Sequence, residues 1–128
     1  MSRVLVMDDE ADARIFIEEI LKSAGHEVVL AADGLEGMRQ CHSTPVDLVL
    51  VDLFMPNREG LETIKEIKQQ FPDFPIIAMS GNSLALPLLS VAQRLGATEV
   101  LQKPFLPEEL LEAIKHALQS KGRPAVKK

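Results

Sequence analysis

Val46-Asp47-Leu48-Val49-Leu50-Val51-Asp52-Leu53-Phe54-Met55-Pro56-Asn57-Arg58-Glu59-Gly60 is the stretch whose reading decides the fold. Leu48 to Val51 is an unbroken apolar run with two valines. A run without polar alternation suits a strand buried on both faces of a parallel sheet. It ends on a carboxylate, Asp52, and Pro56 and Gly60 then carry the chain away through a loop. Open α/β sheets bind ligands beyond the carboxyl ends of their central strands, so Asp52 is a candidate functional residue.

The same punctuation recurs on both sides. Arg3 to Met7 reads as a first strand, stopped by Asp8-Asp9-Glu10. Ala13, Ile17, Ile20, Leu21 and Ala24 then fall at helical spacing, with Gly25 as the stop. Val28 to Leu30 is a second strand, and Asp33-Gly34 turns into a helix over Leu35 to His42, with Leu35 and Met38 expected inward. After the central strand, Gly60 to Phe71 carries Leu61, Ile64, Ile67 and Phe71 along one helical stripe. Ile76 to Met79 is a fourth strand, followed by Ser80-Gly81 and a helix over roughly Ala85 to Leu95 that stops at Gly96. Val100 to Gln102 is a fifth strand, ended by Lys103-Pro104-Phe105. Pro107 opens the last helix at its first position, with Glu108 and Glu109 favourable in the first turn. Five strands alternating with five helices predict an α/β fold, (βα)5, with a doubly wound five-stranded parallel sheet. Right-handed crossovers make 2-1-3-4-5, the flavodoxin-like order, the expected arrangement.

Composition narrows the function. The chain has 128 residues and is 46% hydrophobic, enough for one domain with its own core. No apolar run approaches the roughly 18 residues of a membrane helix, and no signal peptide is visible, so a cytoplasmic location is expected. Cys41 is the single cysteine, which excludes an internal disulfide and fits a reducing compartment. Four of the 14 basic residues lie in the last nine positions, leaving 10 against 19 acids, a net charge of −9, over residues 1–119. An acidic body argues against nucleic acid as the partner and is compatible with a cation site. Residues 1–120 are expected to form the domain and 121–128 a basic, disordered tail.

Four of the five strands end on a polar group: Asp8-Asp9, Asp52, Ser80 and Lys103. In a parallel sheet of order 2-1-3-4-5 these ends are neighbours on one edge. Two carboxylates 4 Å apart repel by roughly 1 kcal/mol in water and about 4 kcal/mol at an effective dielectric of 20. Three of them call for a cation. All-oxygen ligands suit Mg²⁺ or Mn²⁺, and with no His or Cys nearby zinc is disfavoured. Such a Mg²⁺ usually serves a phosphate, for which Lys103 and the Ser80 hydroxyl are donors. One carboxylate is then free to attack phosphorus and form an aspartyl-phosphate, and Asp52, on the central strand, is the natural choice.

With these motifs the chain strongly resembles the receiver domain of two-component response regulators, over residues 3 to about 119. The resemblance is carried by Asp8-Asp9-Glu10, Asp33-Gly34, Asp52-x-x-Met55-Pro56-x-x-x-Gly60, Met79-Ser80-Gly81 and Lys103-Pro104-Phe105. It implies that Asp52 accepts a phosphoryl group from a phosphohistidine on a histidine kinase or a histidine phosphotransfer protein. It implies that Asp9, Asp52 and the backbone carbonyl of Phe54 hold Mg²⁺ directly, with Asp8 acting mainly through water. Ser80 and Lys103 would contact the phosphoryl oxygens, the Lys103–Pro104 peptide would be cis, and Gly60 would allow the turn into the third helix. Phosphorylation would draw Ser80 toward Asp52 and alter the face of helix 4, strand 5 and helix 5. The chain would catalyse its own phosphorylation and dephosphorylation and turn over no outside substrate. It would act by docking to a downstream protein.

Two features depart from the family pattern. The switch position three residues before the lysine, commonly aromatic or His, is Val100, which is stiff and has no polar tip. Helix 4 carries Leu84, Leu86, Leu88 and Leu89, more than one stripe on the sheet can use. Either some of them lie in the preceding loop and fold back onto the core, or they form an apolar contact face for a self-dimer or a downstream partner. Phe54 and Asn82 flank the expected phosphoryl position, where Phe54 would screen water and Asn82 would orient it. Arg58 and Glu59 are loop charges near the site mouth, and His26, His42 and His116 are expected at surfaces. Two other functions compete. A Mg²⁺-dependent phosphohydrolase with an aspartyl-phosphate intermediate needs a second acid just after Asp52 and a capping insertion, but Leu53 and Phe54 follow. A receiver that binds proteins without phosphate has no need of the five polar strand ends.

Overall fold

The computed structural model describes residues 2–54, 60–81 and 86–120, the side chains of Leu86 and Ser120 excepted. The expectations for Arg58, Glu59, Asn82, Leu84 and the 121–128 tail therefore lie outside the described residues. The strands are β1 Arg3–Met7, β2 Glu27–Ala31, β3 Leu48–Asp52, β4 Ile76–Ser80 and β5 Glu99–Gln102. The helices are α1 Ala11–Ser23, α2 Gly34–Ser43, α3 Gly60–Gln70, α4 Leu86–Leu95 and α5 Pro107–Ser120. All strand pairs are parallel, in the order β2-β1-β3-β4-β5. The doubly wound (βα)5 fold is as expected.

The sheet divides the core by strict alternation. Leu5, Met7, Val49, Val51, Ile76 and Ala78 face one side with α2, α3 and α4. Val4, Val6, Leu48, Leu50, Ile77 and Met79 face the other with α1 and α5. All ten residues of β3 and β4 are buried, which explains why neither run shows a polar alternation. Each fully buried Val, Leu or Ile contributes about 1.5–3 kcal/mol. β2, at the edge, is only partly buried.

Local signals place the helices. Asp33 caps α2 by accepting from the Glu36 amide at 2.9 Å, and Glu36 reaches back to the Ala32 amide at 2.7 Å. These two bonds, an N-cap and a reach back to the residue before it, fix where β2 hands over to α2. Gly25, at φ +91°, closes α1: its amide donates to Lys22, and the His26 amide donates to Leu21. These are the paired bonds of a helix ended by a left-handed glycine.

Two helices pack differently from expectation. Leu35, expected inward, is 45% exposed. In its place α2 buries Gly34, Gly37, Met38 and Cys41. A Cβ on Gly37 would lie 2.3 Å from the Met7 sulfur, so the α2 backbone rests directly on β1 and turns Leu35 outward. On α4, Leu89 and Ala92 are buried, and Leu88 and Leu95 are half-buried against the core. Leu88 and Leu89 thus reach the core from within α4 itself and not from the preceding loop. Leu84 and the Leu86 side chain lie outside the described residues. The strongly exposed large apolar residues sit elsewhere among the described residues: Ile15 and Phe16 on α1, Leu35 on α2, and Phe54 and Leu106 after β3 and β5.

Candidate functional site

The register delivers the polar strand ends to one edge. β1 and β3 pair as far as Met7 with Val51, β3 and β4 as far as Asp52 with Met79, and β4 and β5 as far as Ser80 with Gln102. Asp8, Asp52, Ser80 and Lys103 thus emerge side by side. Asp8, Asp52 and Ser80 are buried, while Asp9 is exposed at the mouth. One carboxylate oxygen from each of Asp8, Asp9 and Asp52 lies within 4.8 Å of the others.

Lys103 bridges the acids. Its Nζ lies 2.6 Å from Asp8 Oδ2 and 3.3 Å from Asp52 Oδ2. The remaining oxygens take backbone donors: Asp8 Oδ1 accepts from the Glu10 amide at 3.0 Å, and Asp52 Oδ1 from the Phe54 amide at 3.0 Å. Burial raises the Asp52 carboxyl to about 6, outweighing the opposing pull of the Phe54 amide and Lys103, and the Asp8 charge adds to the rise. For Lys103, burial works downward. The hydrogen bond it donates to Asp8 and the charges of Asp52 and Asp8 overcome it, so the ammonium is held above its ordinary range. The site holds one firm cation among three acids.

Backbone contacts fix the frame. The Leu53 amide donates to the Met79 carbonyl at 2.9 Å, and the Lys103 amide to the Ser80 carbonyl at 2.8 Å. Gly60 packs on the main chain of Asp52 itself: a Cβ there would lie 2.4 Å from the Asp52 carbonyl oxygen and 2.6 Å from Leu53 Cα. The Lys103–Pro104 peptide is cis, as the resemblance implies. Val100 is half-buried against the core cluster that holds Leu89 and Ala92. Phe54 is 47% exposed. His42 and His116 are exposed, His26 is half-buried, and none joins the acid cluster. Cys41 is buried, and its thiol is pushed up to about 11 by that burial, so it is a packing residue.

The arrangement also includes residues that strand-end reasoning passed over. Arg14, on α1, donates from Nη1 to the Asp8 carbonyl at 2.7 Å. Phe16 and Phe105, with ring centroids 6.4 Å apart, line a cleft of about 390 Å³ that Lys103, Gly81 and Glu10 also line. Neither Arg14 nor Phe16 carries a sequence signal for the site: the first is an ordinary helix cation, the second an ordinary helix apolar.

The family model described as the response regulator receiver domain matches residues 4–115. The chain belongs to the response regulator receiver domain family. Receiver domains are the phosphoryl-accepting signalling switches of two-component systems; they bind Mg²⁺ at an acidic aspartate cluster and are phosphorylated by histidine kinases. Among curated relatives, this receiver is 29% identical over 117 residues to the alkaline phosphatase synthesis transcriptional regulatory protein PhoP of Bacillus subtilis, covering 91% of this chain and 48% of that one. Among solved structures, NtrX from Brucella abortus in complex with ADP superposes with a TM-score of 0.90 at 30% identity, over 94% of this chain and 27% of that one. The response regulator protein TrrA from Thermotoga maritima, in complex with Mg²⁺ and BeF, superposes at 0.82 with 36% identity, over 92% of this chain and 100% of that one. The receiver spans about half or less of the length of the first curated relatives it matches. Among the described residues, no helix is long and apolar enough to cross a membrane.

Proposed function

We propose that Asp52 of this receiver takes a phosphoryl group from a phosphohistidine, and that Asp9, Asp52 and the Phe54 carbonyl hold Mg²⁺ for the transfer while Asp8 acts mainly through water. The single observation that carries the reading is the convergence of Asp8, Asp9 and Asp52 within 4.8 Å, with Lys103 bridging two of them. The three oxygens suit a hard divalent ion. Bound Mg²⁺ would offset negative charge on the carboxylates and on the incoming phosphoryl oxygens. Asp52, deprotonated, attacks phosphorus through a carboxylate oxygen, and the bond from phosphorus to the donor imidazole breaks. Lys103 and Ser80 then hold the phosphoryl oxygens. The acyl phosphate is lost again to water within the same site, with no outside substrate turned over.

The donor reaches Asp52 from the α1 side. Phe16 is 46% exposed and lines the same cleft as Lys103, and Leu106, just beyond Phe105, is 60% exposed. An apolar shoulder beside a charged mouth suits a protein carrying the phosphohistidine. The change is read by a partner through the α4, β5 and α5 face. In this reading Val100 transmits by packing against the core next to Leu89, since it has no polar tip to move. The switch occupies residues 1–120, with 121–128 as a basic tail, and works in the cytoplasm.

Incubation with acetyl phosphate and Mg²⁺, read by intact mass, tests the assignment. A single phosphoryl adduct is expected, absent without Mg²⁺ and absent in Asp52→Asn. An adduct that survives Asp52→Asn, or none in the wild type, overturns it.

A further inference from the structure

The acid pair after β1 is held through its main chain as well as its side chains. The Asp8 amide still donates to the Ala31 carbonyl of β2 at 3.1 Å. The β1–β2 register ends one residue earlier, at Met7 with Ala31, so the Asp8 carbonyl lies past the ladder. Its partner comes from α1, where Arg14 Nη1 donates to it at 2.7 Å. A charged donor at this distance makes one of the stronger hydrogen bonds. The Arg14 amide also closes the first turn of α1 onto the Glu10 carbonyl at 3.0 Å, so one residue ties the helix start to the acid turn.

The Asp8 carbonyl and the Asp9 N–H belong to one planar unit. Holding that carbonyl holds the plane, and the plane sets the direction in which Asp9 leaves the chain. Asp8 and Asp52 have other anchors, in Lys103 and the amides of Glu10 and Phe54. The Asp9 carboxylate takes no hydrogen bond from the described residues. Its aim depends on its backbone. We propose that Arg14 is a positioning residue of the cation site: by pinning the Asp8–Asp9 peptide it points Asp9 at the ion shared with Asp52. This rests on the reading of the acid cluster as a Mg²⁺ site.

The test is calorimetric titration of the full chain with MgCl₂, with thermal unfolding of the metal-free protein on the same samples. Loss of a residue that orients a ligand typically weakens metal binding 10–100-fold, so Arg14→Met is expected to bind Mg²⁺ at least about tenfold more weakly. Arg14→Lys keeps a charged donor on a long stem and is expected to recover most of the affinity. Both should unfold within a few degrees of the wild type. Should Arg14→Met fail to fold, Arg14→Gln replaces it, too short to reach the carbonyl, with the same expectation. Wild-type affinity in Arg14→Met or Arg14→Gln overturns the inference, as does a folded Arg14→Lys no better than Arg14→Met. A wild-type chain without saturable Mg²⁺ binding overturns the cation reading itself, and is distinguished by that control.

Discussion

Burial raises the Asp52 carboxyl from the usual 3.8 to about 6, and this sets a stability balance that can be read directly. Between those values the folded chain binds more protons at this position than the unfolded chain. Stability therefore falls as pH rises through the window, and above about 6 the full cost of the buried charge is present. Asp52→Asn removes that cost. It is expected to raise metal-free stability by about 3 kcal/mol at pH 8, with the gain shrinking toward zero near pH 4. Urea denaturation at the two pH values checks this, and an equal gain at both would count against it. At this scale the sequence was informative wherever a polar residue ended an apolar run, as Asp8, Asp52, Ser80 and Lys103 do. It was silent where the partner is a backbone atom or a residue far along the chain. Nothing local pairs Lys103 with Asp8, and nothing marks the Asp8 carbonyl as the partner of Arg14.

The elements follow their periodicity, and the departure at α2 traces to glycine. The five strands and five helices lie within a residue or two of where apolar spacing, caps and breakers put them. Leu35 was misplaced because helical spacing weighs side chains, whereas α2 approaches β1 through the bare backbone of Gly37. The leucines of α4 left two readings open because a count of apolar residues does not show how deep the groove beside α3 and β5 runs. Glycine contacts also separate two positions that look alike in sequence. At Gly60 a Cβ would strike backbone atoms of Asp52 and Leu53, which cannot yield without moving Asp52. At Gly81 the nearest atoms are Lys103 Cβ at 3.4 Å and Cδ at 3.5 Å, ordinary contact. Gly60→Ala should cost about 2 kcal/mol or more and abolish labelling by acetyl phosphate, while Gly81→Ala folds and is labelled. Circular dichroism melts and intact mass on the pair decide it. Equal behaviour of the two variants would show that the close approach at Gly60 does not matter.

Across the whole molecule, Phe16 is one of the large apolar residues left exposed, at 46%. Phe16 contributes little to the core, so Phe16→Ser should leave the melting temperature near the wild type. If the phosphohistidine protein docks over α1, the same change slows transfer from the kinase by about tenfold, the equivalent of about 1.4 kcal/mol. Labelling by acetyl phosphate, which needs no docking, should be unaffected. Equal slowing of both reactions would point to a disturbed Lys103 instead of a lost contact surface.

The Lys103–Asp8 pair joins residues 95 positions apart, from the first strand to the end of the last. During synthesis Asp8, Asp9 and Asp52 leave the ribosome long before Lys103 does. A half-made chain, or one cut before β5, holds Asp8 and Asp52 without the ammonium that bridges them. The first and last strands of the sheet are therefore both needed before the buried carboxylate of Asp8 has its counter-charge.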